Sequence, residues 1–327
     1  VNDRNRQVLA ALADGEFHSG QQLAEATGVT RSAVWKQIRR LADLGLEVEG
    51  VTGRGYRLAA PLELLDTAGI RCGLDPGAWE VPVDIETLFE INSTSGYLLD
   101  ALGADSIHGR AVLAEYQTAG RGRRGNPWLA APASGLCLSL GWHYESAPAS
   151  LTCLSLAAGV AVAGALRGEG CPGVQLKWPN DVLVDGAKLA GILIESHAQG
   201  AGPCDVVIGV GVNVHLPEQL ERTLDRRVTD LERVLAPVTP SRNRLAARLI
   251  NALVAMLKRY DSDGFSSFLE AWRELDYAAG REAVLLLPGQ QTAGRVVGID
   301  ENGLLIMAIE GERRKFSSGE LSLRIVE

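Results

Sequence analysis

The sequence predicts a multi-domain α+β protein in three parts: a helix-rich module over residues 1–60, a central mixed α/β domain over 61–275, and a small all-β domain over 276–327. Three observations lead there. The first 60 residues carry three short helical apolar rhythms separated by glycine turns. The middle alternates strand-like apolar runs with helical stripes. From residue 282 onward, short apolar runs alternate with the turn signals Pro288-Gly289, Glu301-Asn302-Gly303 and Glu310-Gly311. A length of 327 residues suits two or three domains, and 46% apolar residues is the composition of a folded chain.

In the first module, residues 5–13 form a helix stopped by Asp14-Gly15. Ser19 with Gln22 three residues on is a capping box, and Thr27-Gly28 ends that second helix. Thr30 caps a third helix to about Leu44, with Gly45 past its end. Its buried stripe is Val34, Ile38 and Leu41, with Trp35 at the margin, and its other face offers Arg31, Ser32, Lys36, Gln37, Arg39 and Arg40. A hairpin over 46–58 follows, with Gly53-Arg54-Gly55 at its tip as a candidate wing. This is the pattern of a winged helix-turn-helix that sets a recognition helix on DNA, Arg54 included; the alternative is a helical bundle with a solvated charged face. Residues 1–60 hold 8 basic and 7 acidic side chains, but no acid lies between Glu25 and Asp43.

The whole chain, with 32 Lys and Arg against 40 Asp and Glu, has a formal charge of −8. That excludes a protein basic all over and confines any nucleic-acid role to a local patch. Five scattered cysteines (Cys72, Cys137, Cys153, Cys171, Cys204) without a C-x-x-C read as reduced thiols of a cytoplasmic protein. The histidines show no metal-ligand spacing. Residues 1–6 are polar with no apolar region behind them, so no secretory signal is expected. The most lipid-like stretch, 151–166, falls short of the ~20 residues of a membrane span and reads as a buried core helix. No membrane contact is expected.

In the central domain, a strand over 85–91 runs into Asn92-Ser93-Thr94-Ser95. These side chains either cap the helix that follows or hold a small polar ligand at its N-terminus. A second strand, 111–116, leads into Gln117 and then Gly120-Arg121-Gly122-Arg123-Arg124-Gly125. This run satisfies G-x-G-x-x-G, but it continues into Asn126-Pro127-Trp128 rather than a helix, and its intervening positions are arginines. A dinucleotide loop is therefore rejected. Three cations on a glycine frame suit concentrated negative charge such as a polyphosphate, with Trp128 as an apolar face for a purine. Lys177-Trp178-Pro179-Asn180-Asp181 then precedes a hairpin, 182–195, turning at Asp185-Gly186. Asn180 and Asp181 are candidate oxygen ligands for Mg²⁺. Lys188, close to the turn, is on its own an ordinary solvated lysine. A buried strand, 206–214, carries Asn213 near its end, and helices follow over 241–260 and 264–275.

The combination of Ser93-Thr94, Glu115-Tyr116-Gln117-Thr118-Ala119-Gly120-Arg121-Gly122-Arg123-Arg124-Gly125, Lys177-Trp178-Pro179-Asn180-Asp181 and Lys188-Leu189-Ala190-Gly191-Ile192-Leu193 resembles biotin–protein ligases. With the N-terminal module in front, it resembles the bifunctional members that also repress the biotin operon. The resemblance runs on to Gly319-Glu320-Leu321-Ser322-Leu323-Arg324. It implies a class II synthetase-like central fold and an SH3-like C-terminal barrel. It also implies ATP, Mg²⁺, biotin as substrate, and biotinyl-5′-AMP as intermediate and co-repressor. The partners implied are a biotin-carrier domain, operator DNA and a second copy of the chain.

On the biotin side the resemblance implies Ser93, Thr94, Ser95, Gln117, Arg121, Gly122, Arg123 and Lys188. On the nucleotide side it implies Arg121, Arg123, Arg124, Trp128, Asn180, Asn213 and Arg324. Arg123, Lys188 and Asp181 would carry the chemistry, Asp181 also as a metal-linked carboxylate and as a base for the acceptor lysine. Ser95 stands where asparagine is frequent, Asn92 where aspartate is frequent, and Asn126-Pro127 where basic residues often precede the tryptophan. Two rival readings remain: a pure ligase whose N-terminal module is structural, and a lipoate-type ligase.

Overall fold

The computed structural model describes residues 3–75, 83–147, 150–198, 202–238, 241–287, 290–318 and 321–326. The expected turn at Pro288-Gly289 and the motif residues Gly319-Glu320 lie outside them.

Helices α1 (Asp3–Leu12), α2 (Gly20–Thr27) and α3 (Arg31–Asp43) precede a hairpin of β1 (Val48–Val51) and β2 (Gly55–Leu58). The capping box forms: Ser19 Oγ accepts from Gln22 N at 3.1 Å, and Gln22 Oε1 accepts from Ser19 N at 2.7 Å. Thr30 Oγ1 accepts from Ala33 N, and Gly28 ends α2 in the left-handed region at φ 64°. Val8, Leu9, Leu12, Leu23, Val34, Ile38 and Leu41 close the module's core, joined by Phe89 of the central domain.

The structure narrows the expected face of α3. Gln37 is buried, and Arg40 donates to both carboxylate oxygens of Glu90 at 2.7 Å. These two are corrections to the DNA-facing set. Gln37 falls inside the helix's own apolar stripe, between Val34 and Leu41, and Arg40 meets the next domain at Glu90, a tertiary contact that periodicity does not carry. Arg31, Ser32, Lys36, Arg39 and Arg54 are exposed, and so is Trp35 at 48%, with the Arg39 guanidinium 5.0 Å from its ring centre.

The central domain runs α4 (Thr67–Cys72), β3 (Asp84–Ile91), α5 (Thr94–Asp100), β4 (Arg110–Gln117), β5 (Gly135–Tyr144), α6 (Leu151–Gly168), β6 (Val174–Lys177), β7 (Asp181–Val184), β8 (Ala187–Ala198), β9 (Cys204–Asn213), α7 (Glu218–Glu221), α8 (Leu231–Leu235), α9 (Arg242–Asp263) and α10 (Ser266–Leu275). Its strands form one seven-stranded sheet in the order β3-β4-β5-β9-β8-β7-β6. The β3–β4 pair, linked through α5, is parallel, and the other neighbours are antiparallel.

Helix α6, the long apolar one, packs with α9 on one face of the sheet, where Leu154, Leu166, Leu249 and Leu253 are fully buried. Leu98 of α5 packs on the other face with Ile107, Val112 and Val207. Glu115 is a structural member of its motif: it pairs with buried Arg242 at 2.7 Å and accepts from Leu65 N, tying the linker to the sheet.

The last domain is an antiparallel sheet of β10 (Glu282–Leu287), β11 (Gln290–Ile299), β12 (Leu305–Ile309), β13 (Glu312–Phe316) and β14 (Ser322–Ile325). Buried Trp178 donates through Nε1 to Gly303 O at 3.1 Å, which fixes this domain over the Lys177–Asp181 motif.

Asp276, at the junction behind α10, is held with its carboxyl pKa pushed up to about 6 by burial, against backbone hydrogen bonds from Ala278 and Ala279. Unfolded, the same group ionises near its ordinary 3.8. Its contribution therefore favours the fold at low pH and is lost as pH rises from about 4 through 6. Asp276→Asn is expected to raise unfolding stability by about 2–3 kcal/mol at pH 8 and by far less at pH 4. Urea unfolding at the two pH values measures this, and an equal gain at both would mean the effect is not ionisation.

Candidate active site

The cleft opens above the sheet between the β4–β5 loop, the β7–β8 hairpin and the edge of the C-terminal domain. At one end, Ser93 caps α5 and accepts from Gly96 N. Thr94 Oγ1 and Ser95 Oγ lie 2.8 and 2.9 Å from Ser139 Oγ, and Gln117 Oε1 accepts from Thr94 N at 2.8 Å. Both readings of this segment thus hold together: a helix cap, and a buried hydroxyl cluster lining the cleft. Ser139 was not among the expected residues. A serine inside the apolar run Leu136-Cys137-Leu138-Ser139-Leu140 was the available signal, since a buried hydroxyl needs a partner.

The arginine loop folds back on itself. Gly122 N donates to Asn126 O at 2.7 Å and Trp128 N to Gly120 O at 2.9 Å, with Arg124 at φ 60° in the turn. Arg121 pairs with Glu195 at 2.8 Å. Arg123 donates to the Ser318 carbonyl of the C-terminal domain and faces Asn180 Oδ1 at 3.5 Å. Burial pulls its pKa down, although Asp181 opposes this.

Trp128 is less open than a free purine-stacking face. Its indole packs on Gly211, where an added Cβ would come within 2.3 Å of the ring. The glycines at 209 and 211, two apart in a strand, are the sequence trace of that close approach.

At the other end, Asp185-Gly186 turns the hairpin at φ 49° and 73°. Pairing of Leu183 with Lys188 puts that lysine on the face shared with Asp181. Opposite Asp181 stands Gly191, where a Cβ would lie 3.0 Å from Lys188 Nζ, so the glycine leaves room for the lysine to lie back. Lys188 Nζ reaches Asp181 Oδ1 at 2.5 Å, and Lys177 Nζ is 3.5 Å from Oδ2. Burial alone would raise the Asp181 pKa, but Lys188, Lys177 and Arg226 outweigh it and hold the carboxyl below its ordinary value.

This pairing bears on both expectations for Asp181. Both Asp181 oxygens face ammonium groups, and among the described residues no cluster of three or more His, Cys, Asp or Glu could hold an ion by itself, so a cation here would need phosphate oxygens of a nucleotide as well. With its pKa depressed Asp181 is a weak base.

Asn213 lines the cleft, but its amide is used on the carbonyls of Thr229 and Lys188, at 3.0 and 3.4 Å. Arg324 is also corrected: Leu321 and Leu323 line the cleft, while Arg324 is exposed and absent from its lining, as period-two alternation along β14 requires. The remaining expected residues, from Ser93 to Lys188, line one cavity.

Residues 90–213 match the Biotin/lipoate A/B protein ligase family, residues 4–57 an HTH domain and residues 280–324 the Biotin protein ligase C terminal domain. The chain is 39% identical to the bifunctional ligase/repressor BirA of Salmonella typhimurium over 320 residues, covering 98% of this chain and 97% of that one. It is 38% identical to BirA of Escherichia coli, over the same shares. It is 36% identical to a biotin–[acetyl-CoA-carboxylase] ligase of Mycobacterium tuberculosis, over 72% of this chain and 88% of that one. The solved structure of a biotin protein ligase from Aquifex aeolicus in complex with biotin and ATP superposes with a TM-score of 0.62 at 27% identity, covering 74% of this chain and 99% of the other. Three domain matches in this order, with two relatives aligned over nearly their whole lengths, mean that the chain belongs to the biotin protein ligase family.

Proposed function

We propose that this chain is an ATP-dependent biotin–protein ligase acting in the cytoplasm, which forms biotinyl-5′-AMP and passes biotin to a lysine of a biotin-carrier domain, and that its N-terminal module binds operator DNA. The observation that carries the ligase reading is the cleft itself, with a buried hydroxyl and amide cluster at one end and Lys188, Lys177 and Arg123 converging at the other. The first end suits a neutral ureido group, and the second suits two anions at once. The match of residues 280–324 to a biotin ligase domain supports biotin over lipoate.

Hydroxide is too poor a leaving group for a carboxylate to acylate an amine in water. In the first step a biotin carboxylate oxygen bonds to the α-phosphorus of ATP and pyrophosphate departs with the electron pair of the broken P–O bond. Lys188 and Arg123 offset the repulsion of carboxylate and phosphate and the charge that grows between them. Ser93, Thr94, Ser95 and Gln117 hold the ring, and positioning of this kind supplies up to about 7–11 kcal/mol in favourable cases. In the second step the acceptor amine bonds to the acyl carbon and AMP leaves. That amine must be neutral, a state held by about one free lysine in a few thousand at pH 7. Asp181 serves by fixing Lys188, not by taking this proton. With the nucleotide bound, Asn180 and Asp181 are the cleft oxygens that would help hold Mg²⁺, which would offset phosphate charge.

Incubation with ATP, Mg²⁺, a carrier domain and either biotin or lipoate tests the reading. Biotin-dependent pyrophosphate release and a biotinylated carrier are expected; a preference for lipoate, or no transfer, overturns it. Within this site, Arg123→Ala is expected to quicken escape of biotinyl-adenylate by about 10–100-fold, since it removes a charge-assisted contact worth about 1.5–3 kcal/mol and the link to Ser318. An unchanged off-rate in a chase experiment would take the loop out of adenylate retention.

A further inference from the structure

The segment after α7 forms part of the cleft, though no sequence motif marks it. Lys188 N donates to Arg227 O and Thr229 N to Lys188 O, both at 3.0 Å, so residues 227–229 pair with the strand that carries the lysine. Leu224, Arg226 and Val228 line the cleft. Asp225 points to solvent, its side chain 81% exposed, and Arg227 turns toward the hairpin at Gly186.

Arg226 differs from most of the cations of the site, Arg124 of the arginine loop being the other one without a close carboxylate or carbonyl partner among the described residues. Arg121 is bound to Glu195, Lys177 and Lys188 are bound to Asp181, and Arg123 is bound to the Ser318 carbonyl. Among the described residues, Arg226 has no ion pair but a 4.0 Å approach to its exposed neighbour Asp225. Its side chain is 43% exposed against 14% for Lys188, which puts it at the mouth of the cleft beside the Lys188–Asp181 end. Its field nonetheless reaches Asp181. The two residues before Trp128, Asn126 and Pro127, are uncharged, so the arginine loop brings no cation to the cleft beyond Arg121, Arg123 and Arg124.

We propose that Arg226 binds the β- and γ-phosphates of ATP and the departing pyrophosphate, an assignment that rests on the ligase reading. The reacting α-phosphate must lie near buried Lys188, and the part of the nucleotide that leaves must pass the mouth, where Arg226 stands. The bond between the α-phosphorus and its bridging oxygen breaks with the electron pair going to pyrophosphate. Arg226 stays protonated throughout and neutralises the product's charge.

The test uses the full chain with Arg226→Ala and Arg226→Lys. Expected for Arg226→Ala is a rise of about tenfold or more in KM for ATP in adenylation, and in KM for pyrophosphate in the reverse reaction from biotinyl-adenylate. Biotin affinity without ATP, which also reports folding, should be unchanged, as should the adenylate off-rate. Arg226→Lys should recover most of the loss. Adding Asn126→Lys to Arg226→Ala should also restore part of it, because a cation would return from the other side of the cleft. If the adenylate off-rate rises with the two KM values, Arg226 holds the α-phosphate and the proposal fails. It fails equally if both KM values stay put. A wild-type chain that makes no biotinyl-adenylate would instead sink the ligase reading on which it rests.

Discussion

Replacing Lys188 with alanine is expected to slow biotin adenylation by about 10²–10³-fold, the usual cost of removing one group aimed at developing charge. Biotin affinity measured without ATP should change by less than tenfold. The reason is differential binding. Before the nucleotide enters, Lys188 already has an anionic partner in Asp181 at 2.5 Å, and a biotin carboxylate only shares it. Once carboxylate and α-phosphate meet, the same ammonium faces two anions and the charge shifting between them. Arginine is a poor substitute, because its planar guanidinium differs in shape from the ammonium that lies over Gly191. Single-turnover adenylation and equilibrium biotin binding, measured on the same variant, separate the two effects. Equal losses in both would make Lys188 a uniform binding residue and end its transition-state role.

That lysine also shows how far the sequence reaches. Asp-Gly between two apolar runs announces the β7–β8 hairpin, and the loop of three arginines announces an anion site. Neither tells that Lys188, seven residues after Asp181, turns back across Gly191 to meet it. The capping box at Ser19 and Gln22, the apolar helix α6 and the stripe of α9 are legible because each is a local pattern of 3.6-residue period with its own end signals.

The short helices α4, α7 and α8 are not legible, having four to six residues each and no room for a period. Contacts from distant chain are hidden for the same reason. Ser139 completes the hydroxyl cluster from β5, Ser318 receives Arg123 from another domain, and Arg226 enters on a segment without a motif. Gln37 is buried because it falls inside the stripe of Val34, Ile38 and Leu41, where its polar type hides it, and Arg40 is engaged by Glu90 of a distant strand, which no local pattern shows.

Those last two residues reshape the largest effect expected of the molecule. Binding of operator DNA should weaken by about three to five orders of magnitude between about 50 and 200 mM salt. Each module presents Arg31, Lys36, Arg39 and Arg54 as exposed cations, while Arg40 is committed to Glu90. A pair of modules on two half-sites would then neutralise about eight phosphates, for a log–log slope near 7. Arg39→Ala should lower that slope by about 2 per dimer, whereas Arg40→Ala should leave it unchanged, because Arg40 only orients the module. We propose that two chains pair on the DNA, since one module of this size binds weakly and a second multiplies affinity through effective concentration. The adenylate would favour the pair by ordering the loop at Gly120 to Gly125, and unmodified carrier would reverse this by consuming it. Footprinting of the promoter of the chain's own gene, with and without biotin plus ATP and with added carrier domain, measures all of this on one template. A slope near 4 would mean that single modules bind. A footprint indifferent to biotin and ATP would leave an unregulated DNA binder, and no footprint at any salt would leave a ligase whose first sixty residues are structural.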